Sequence, residues 1–146
     1  MKKIVNGKEL QEKILESVHT LCGTVKETLG PKGNNVLIDH STFSPFITND
    51  GVTIAKNIES DDETLGAILE IIKEASIKTN EEVGDGTTTT LVLLESLYEQ
   101  SIEYVNKGIS PIILKKELEE VLEIILKKLQ NQKRKATNKD LKNIAI

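Results

Sequence analysis

The sequence has little of what stabilises small disulfide-rich or aromatic-rich domains. Among its 146 residues there is one cysteine and no tryptophan, and aromatic residues make up 3%. A single cysteine excludes an internal disulfide and a cysteine-based zinc site. Cys22 stands among the apolar neighbours Leu21 and Val25, which predicts a buried helix residue rather than a reactive thiol. The core must therefore be built from aliphatic side chains.

The chain also lacks a strong charge of either sign and a long hydrophobic run. Its formal net charge is -4, which argues against nucleic acid as the main partner. The opening MKKIVNGKELQEK has no apolar stretch typical of a signal peptide, and no segment is suited to crossing a membrane. We therefore expect a cytoplasmic protein without a membrane partner. His19 and His40 share no ligand spacing, so we interpret both as structural or surface residues.

Apolar residues recur every three or four positions over most of the chain, which predicts a mainly α fold. We expect a bundle of about four long helices, over residues 8–29, 60–80, 88–106 and 111–129. Two short apolar segments, 36–39 and 46–48, predict a small β hairpin or two-stranded element. The last helix should bury one stripe, formed by Leu114, Leu118, Val121, Leu122, Ile125 and Leu129.

Asn49-Asp50-Gly51 allows two interpretations. Asp-Gly between apolar residues is typical of a tight hairpin. The same residues can end a strand and open a short helix over residues 52–58. Propensity does not separate these two structures.

The stretch EEVGDGTTTT, residues 81–90, also allows two interpretations. In the simpler one, Gly84-Asp85-Gly86 is a turn, and Asp85 or Thr87 caps the third helix. In the other, the start of that helix binds phosphate, because its backbone N–H groups and dipole attract anions. Flanking glycines would let the backbone approach, the threonines would add donors, and Asp85 could hold Mg²⁺.

Two further stretches fit the phosphate interpretation. Gly30 and Gly33 surround Pro31-Lys32 at a helix exit, and Asp50 before Gly51 offers a second carboxylate for a water or a metal. Neither a P-loop nor a GxGxxG fingerprint is present, since the required spacings are missing. Each stretch alone is a weak signal.

Together, TLGPKGNNV (residues 28–36), ITNDGVTI (47–54) and GDGTTT (84–89) resemble the 60 kDa, GroEL-type chaperonin family. Their order and spacing are similar to those in the N-terminal part of the equatorial ATP-binding domain, and the resemblance covers about residues 6–129. It implies a mostly helical domain that binds ATP, Mg²⁺ and often K⁺. By this resemblance Asp85 would hold Mg²⁺, and Asp50 would be catalytic, near the γ-phosphate and attacking water. The implied nucleotide-binding residues are Thr28, Leu29, Gly30, Pro31, Asn49, Asp50, Gly51, Asp85, Gly86, Thr87, Thr88 and Thr89.

The resemblance also implies what lies outside this chain. We expect residues 1–130 to be the first equatorial half and 131–146 to be a linker toward an intermediate domain, so that the chain is a fragment or a truncated gene product. The family folds proteins with ATP as a homo-oligomeric ring, binds unfolded polypeptides through an apical domain absent here, and can use a co-chaperonin. Because a catalytic Asp of the later segment is missing, we expect this chain alone not to hydrolyse ATP.

Two alternatives stay open at this point. Asn49 stands where GroEL-type proteins have Lys, and with Glu82-Val83 it is closer to the archaeal type, whereas TLGPKGNNV favours the bacterial or organellar type. The chain could also be a truncated, non-catalytic helical module for assembly or nucleotide binding, without folding activity.

Overall fold

Helices make up most of the chain in the computed structural model, which describes residues 4–39 and 44–144. His40, interpreted above as structural or surface, lies outside the described residues. In chain order the elements are α1 (Gly7–Lys26), β1 (Val36–Ile38), β2 (Phe46–Thr48), α2 (Gly51–Asn57), α3 (Glu63–Val83), α4 (Thr87–Asn106), α5 (Pro111–Gln132) and α6 (Asn138–Ile144). The predicted fold class, mainly α with a two-stranded element, is confirmed.

The two strands form an antiparallel pair in which Leu37 lies opposite Ile47. After β2 the chain does not turn back as a hairpin at Asn49-Asp50-Gly51. Instead Asp50 is the N-cap of α2, and its side chain accepts the backbone N–H of Thr53. The second interpretation of this stretch, a strand end that opens a short helix, is therefore correct.

The core of the chain is aliphatic, as the composition predicts, and α1 contributes most to it. Eleven buried apolar residues form one cluster: Val18, Leu21, Cys22, Val25, Ile38, Ile54, Ala55, Ile68, Leu69, Ile72 and Leu91. Burial raises the pKa of the Cys22 thiol to about 12, so this thiol stays protonated at neutral pH. The prediction that Cys22 is a buried helix residue is confirmed.

The start of α3 is fixed by one carboxylate. Asp62 Oδ1 accepts the backbone N–H groups of Thr64 at 2.7 Å and Leu65 at 3.1 Å, which caps the helix. Its Oδ2 accepts from Lys13 Nζ on α1 at 2.7 Å. Asp62 therefore ties the first turn of α3 to α1.

Helix α3 runs about one turn beyond its predicted end near Asn80. It stops at Gly84, which is its C-cap with φ 76° and donates its N–H to Asn80 O at 2.8 Å. Glycine adopts this left-handed conformation without the steric cost that other residues have, so it ends the helix.

Two compact units divide the chain, one reaching to Glu103 and the other starting at Tyr104. In the second unit, α5 begins at Pro111 as predicted, but it contains no buried residue. Its apolar stripe is present, yet the prediction that this stripe is buried is wrong. Periodicity shows which side of a helix is apolar; whether that side is covered depends on other parts of a protein.

The tail beyond α5 is not wholly irregular, because it includes α6. Asp140 Oδ2 accepts the backbone N–H of Thr137 at 2.8 Å and its hydroxyl at 2.7 Å. The role of residues 131–146 as a linker stays a prediction.

Across the described residues 4–39 and 44–144, no helix has the length and apolar character needed to cross a membrane.

We expect Leu21→Ala to lower the free energy of unfolding by about 2–5 kcal/mol, because it leaves a cavity in a fully buried position. Urea unfolding followed by circular dichroism measures this. Ile71→Ala is the matched control: its side chain is 70% exposed, so the expected loss is below about 0.5 kcal/mol. Equal losses in the two variants would contradict the core described here.

The Asp62 cap predicts a loss of stability in acid. The hydrogen bond from Lys13 is the main cause that lowers the pKa of the Asp62 carboxyl from 3.8 to about 2. A carboxyl whose pKa is lower in the folded state than in the unfolded state stabilises the protein at pH values above the unfolded-state pKa. This stabilisation is lost as pH falls through the folded-state pKa. We expect Asp62→Asn to have a lower Tm than the unchanged chain at neutral pH. The difference in Tm should shrink between pH 3.8 and about 2; a difference that is constant with pH would contradict this.

Candidate functional site

Three turns that are far apart in the sequence line one cavity of about 310 Å³. The turns follow α1, precede α2 and precede α4. All of the cavity lies within the unit that reaches to Glu103. Its lining residues are Thr28, Leu29, Gly30, Asn49, Asp50, Gly51, Val52, Asn80, Gly84, Asp85, Gly86, Thr87, Thr88 and Thr89.

The first turn is shaped by two glycines. Gly30 has φ 79°, and its carbonyl accepts the N–H of Gly33 at 3.0 Å, which closes a four-residue turn with Pro31 at its second position. A Cβ on Gly33 would overlap the backbone carbonyl of Thr28. The turn therefore requires glycine at both places, and it leaves Leu29 half-exposed at the cavity.

The second turn places Asp50 at the cavity and caps α2. Thr53 donates its backbone N–H at 2.9 Å and its hydroxyl at 2.5 Å to Asp50 Oδ2. Chiefly the hydroxyl bond, with help from the backbone, lowers the pKa of the Asp50 carboxyl from its ordinary value. This carboxylate is thus charged at neutral pH and held in a fixed position.

The third turn has glycines in left-handed conformations on both sides of Asp85. Gly84 has φ 76° and Gly86 has φ 88°. The Asp85 side chain is exposed, and its Oδ1 accepts the N–H of Gly86 at 2.6 Å, one residue before α4 begins. The carboxylate therefore lies beside the N-terminus of α4 and is accessible to a ligand from solvent.

The N-terminal end of α4 lines the cavity. Thr90 N–H donates to Gly86 O at 2.9 Å, which is the first bond of the helical pattern. The backbone N–H groups of Thr87, Thr88 and Thr89 precede that bond, so they belong to the first turn, whose amides have no helical acceptor. Such a helix start attracts anions through its amides and its dipole.

The second and third turns touch each other. Gly51 is buried, and a Cβ placed on it would overlap Thr88 Oγ1 and lie 3.3 Å from Val25 Cγ1. Glycine at this position is what lets the start of α2 approach the start of α4 and the end of α1.

The charge of the cavity is negative. Asp50 and Asp85 line it, while no lysine or arginine is found among its described lining residues. Two carboxylates repel a bare phosphate chain, but they attract a divalent cation, which prefers oxygen ligands. The cavity therefore suits an anion only when a metal ion comes with it.

The structure brings together all but one of the twelve residues that the sequence singled out. The exception is Pro31, which is exposed and shapes the first turn without lining the cavity. Its predicted contact with a nucleotide stays a prediction, as do the roles of the other eleven.

Three lining residues were not among those twelve: Val52, Asn80 and Gly84. Asn80 lies one helical turn before the C-cap of α3, and its carbonyl accepts the Gly84 N–H. A sequence interpretation that carried α3 on to Gly84 would have placed Asn80 beside the third turn. The sequence signal that could have identified Asn80 as a lining residue is therefore Gly84, the glycine that ends α3.

Comparison with known proteins gives the family of this chain. The model of the TCP-1/cpn60 chaperonin family matches residues 21–146. Chaperonin GroEL of Mycoplasma genitalium is 37% identical and that of Mycoplasma pneumoniae 38% identical, each over 99% of this chain and 27% of the relative. Chaperonin GroEL of Onion yellows phytoplasma is 38% identical, with the same two coverages.

A solved structure is also similar to this chain. The crystal structure of chaperonin gp146 from the bacteriophage EL 2 (Pseudomonas aeruginosa), in the presence of ATP-BeFx, has a TM-score of 0.73 and 31% identity. The match covers 87% of this chain and 22% of that one.

The chain belongs to the TCP-1/cpn60 chaperonin family. It spans 27% of the length of the GroEL relatives named here, and it matches their N-terminal, equatorial region.

We expect Gly51→Ala to destabilise the protein by about 1–3 kcal/mol, because the added methyl group overlaps Thr88. Adding Thr88→Ala should restore most of the loss, since it removes the overlapping hydroxyl. Gly23→Ala is the control: Gly23 lies in α1 with no atom near its Cβ position, so alanine should stabilise the helix by about 0.5–1 kcal/mol. Thermal unfolding of these three variants beside the unchanged chain tests the contact, and no recovery in the double variant would contradict it.

Proposed function

We propose that this chain carries part of the Mg²⁺·ATP site of an ATP-dependent protein-folding chaperonin subunit. The observation that carries the proposal is the shared cavity. Three turns, chosen from the sequence for their suitability to phosphate, line one space at the start of α4. Three turns that are far apart in the sequence and yet line the same cavity support the binding of one common ligand.

The size and polarity of the cavity favour the phosphate chain as its occupant. A volume of about 310 Å³ is at the lower end for ligand pockets, which run from about 300 to 1,000 Å³. The threonine hydroxyls and the α4 amides are donors for phosphate oxygens. Leu29, half-exposed at the rim, offers apolar surface to a less polar part of the nucleotide.

The donor set fits a magnesium ion. Mg²⁺ uses one or two carboxylates together with phosphate oxygens and waters. Asp85 is the carboxylate at the start of α4 that would hold it, and the ion would neutralise phosphate charge there. Asp50 is fixed by its cap bonds, so it can orient a water beside the terminal phosphate. K⁺ is a further ion that the resemblance suggests for this site.

The activity of a whole subunit is a proposal for a longer protein, because this chain spans 27% of the length of its GroEL relatives. We propose that hydrolysis by this chain alone stays at background, because the resemblance assigns a catalytic aspartate to a later segment. Unfolded polypeptides as substrates, a homo-oligomeric ring, a co-chaperonin and a cytoplasmic location are proposals for the longer protein. They rest on the GroEL relatives, of which this chain covers 27%.

A second function, a helical assembly module without catalysis, is favoured by the exposed apolar surface. An apolar groove of about 610 Å³ runs over α1, α3 and α4, and Ile71, Leu93 and Leu97 in it are more than half exposed. Apolar patches of this kind mark contact surfaces. The two functions are compatible, since one concerns the cavity and the other the groove.

We expect isothermal calorimetry to detect weak, Mg²⁺-dependent binding of ATP, and Asp85→Ala to weaken it at least about tenfold, the equivalent of ~1.4 kcal/mol. Asp61→Ala is the matched control, because Asp61 is an exposed acid that does not line the cavity. It removes the same charge and should leave the affinity unchanged.

Two results would count against the proposal. Unchanged affinity in Asp85→Ala would remove the assigned metal ligand. An absence of binding at millimolar ATP would show that the turns in this chain do not form a self-sufficient site.

A further inference from the structure

A second group of potential metal ligands lies on α1 and α4, apart from the cavity. His19, Glu95 and Glu99 each offer one ligand atom, and these atoms all lie within 4.8 Å of one another. None of the three lines the cavity described above. We propose that they bind a divalent transition metal ion of the zinc class, which would link α1 to α4.

The two glutamates are placed by helix geometry. Residues four positions apart lie on the same face of a helix, so Glu95 and Glu99 project from α4 together. His19 approaches them from α1, with its Nε2 2.7 Å from Glu99 Oε1. Three ligand atoms from two helices thus converge on one point.

Only a small movement is needed to admit the ion. Two ligands of a tetrahedral zinc ion with bonds of about 2.0–2.1 Å are about 3.4 Å apart. The His19–Glu99 separation is shorter than that, and both side chains are about half exposed, at 49% and 48%. A modest rotation of either side chain therefore opens the pair.

The side chain of Glu95 is the most firmly held of the three ligands. It is 8% exposed, and it accepts two hydrogen bonds from Lys26 Nζ, at 3.1 and 3.0 Å. A carboxylate has about four acceptor positions, so Glu95 can keep Lys26 and still bind a metal. With a neutral imidazole, the two carboxylates and one ammonium leave a net charge of -1, which favours a cation.

The ligand types select the ion. Imidazole nitrogen suits zinc, copper, iron and nickel, whereas Mg²⁺ prefers oxygen ligands alone. The group is therefore distinct in chemistry from the proposed magnesium position at Asp85. Three protein ligands leave a coordination position for water, and the ion would act by holding the two helices together.

The direct test is titration of the chelator-treated chain with Zn²⁺ by calorimetry, with Co²⁺ absorption as a spectroscopic probe of the ligands. We expect one ion per chain, a tetrahedral Co²⁺ spectrum, and a Tm that rises with free Zn²⁺. His19→Gln and Glu99→Gln should each weaken Zn²⁺ binding at least about tenfold and reduce the rise in Tm.

Glu59→Gln is the matched control for Glu99→Gln, because Glu59 is exposed and lies outside the group of three ligands. It should bind Zn²⁺ as the unchanged chain does. The proposal is wrong if the unchanged chain binds no zinc, since His19 and Glu99 would then form a hydrogen-bonded pair only. It is also wrong if zinc affinity survives in both ligand variants. Because Glu99 is half exposed, its substitution tests binding without disturbing the core.

Discussion

The contact between Gly51 and Thr88 is the constraint on which the candidate site depends. A side chain at Gly51 would overlap Thr88 and press on Val25, so only glycine allows the starts of α2 and α4 to meet beside α1. That approach brings Asp50 and the threonines of α4 to the same cavity. The aliphatic core beneath, centred on α1, supports the arrangement.

This geometry explains why an acidic, glycine-rich turn precedes a run of threonines. Glycines on both sides of Asp85 give the backbone its left-handed turns, and the helix start that follows presents amides and hydroxyls. The carboxylates would oppose an anion if they acted alone. Together with a divalent cation, the same groups would suit a metal-bound phosphate chain, which is the function proposed above. Membership of the chaperonin family is consistent with this chemistry.

The parts of the fold that could be predicted from sequence are those that local chemistry determines. Apolar spacing gave α1 and α4 nearly their observed bounds, and the glycine, proline and threonine patterns pointed to turns that do line one cavity. The competing structures at Asn49-Asp50-Gly51 could not be separated, because the cap bond that Thr53 donates to the Asp50 carboxylate decides between them. Propensity does not describe that bond.

Features that depend on contacts distant in sequence were missed. The α5 stripe was predicted to be buried, but periodicity does not reveal whether another surface covers a helix. Asn80 was overlooked for a local reason, because the end of α3 was placed too early. His19 shows no ligand spacing in the sequence, yet folding places it beside Glu95 and Glu99, 76 and 80 positions away.

The central claim, that the three turns bind one Mg²⁺-bound triphosphate, is tested most directly by the backbone amide resonances of the glycines. In an NMR titration with Mg²⁺ and a non-hydrolysable ATP analogue, the account predicts shifts at Gly30, Gly51 and Gly86 with one common affinity. Gly7 and Gly108, which do not line the cavity, should not shift. Shifts confined to one turn, or different affinities at the three glycines, would contradict it.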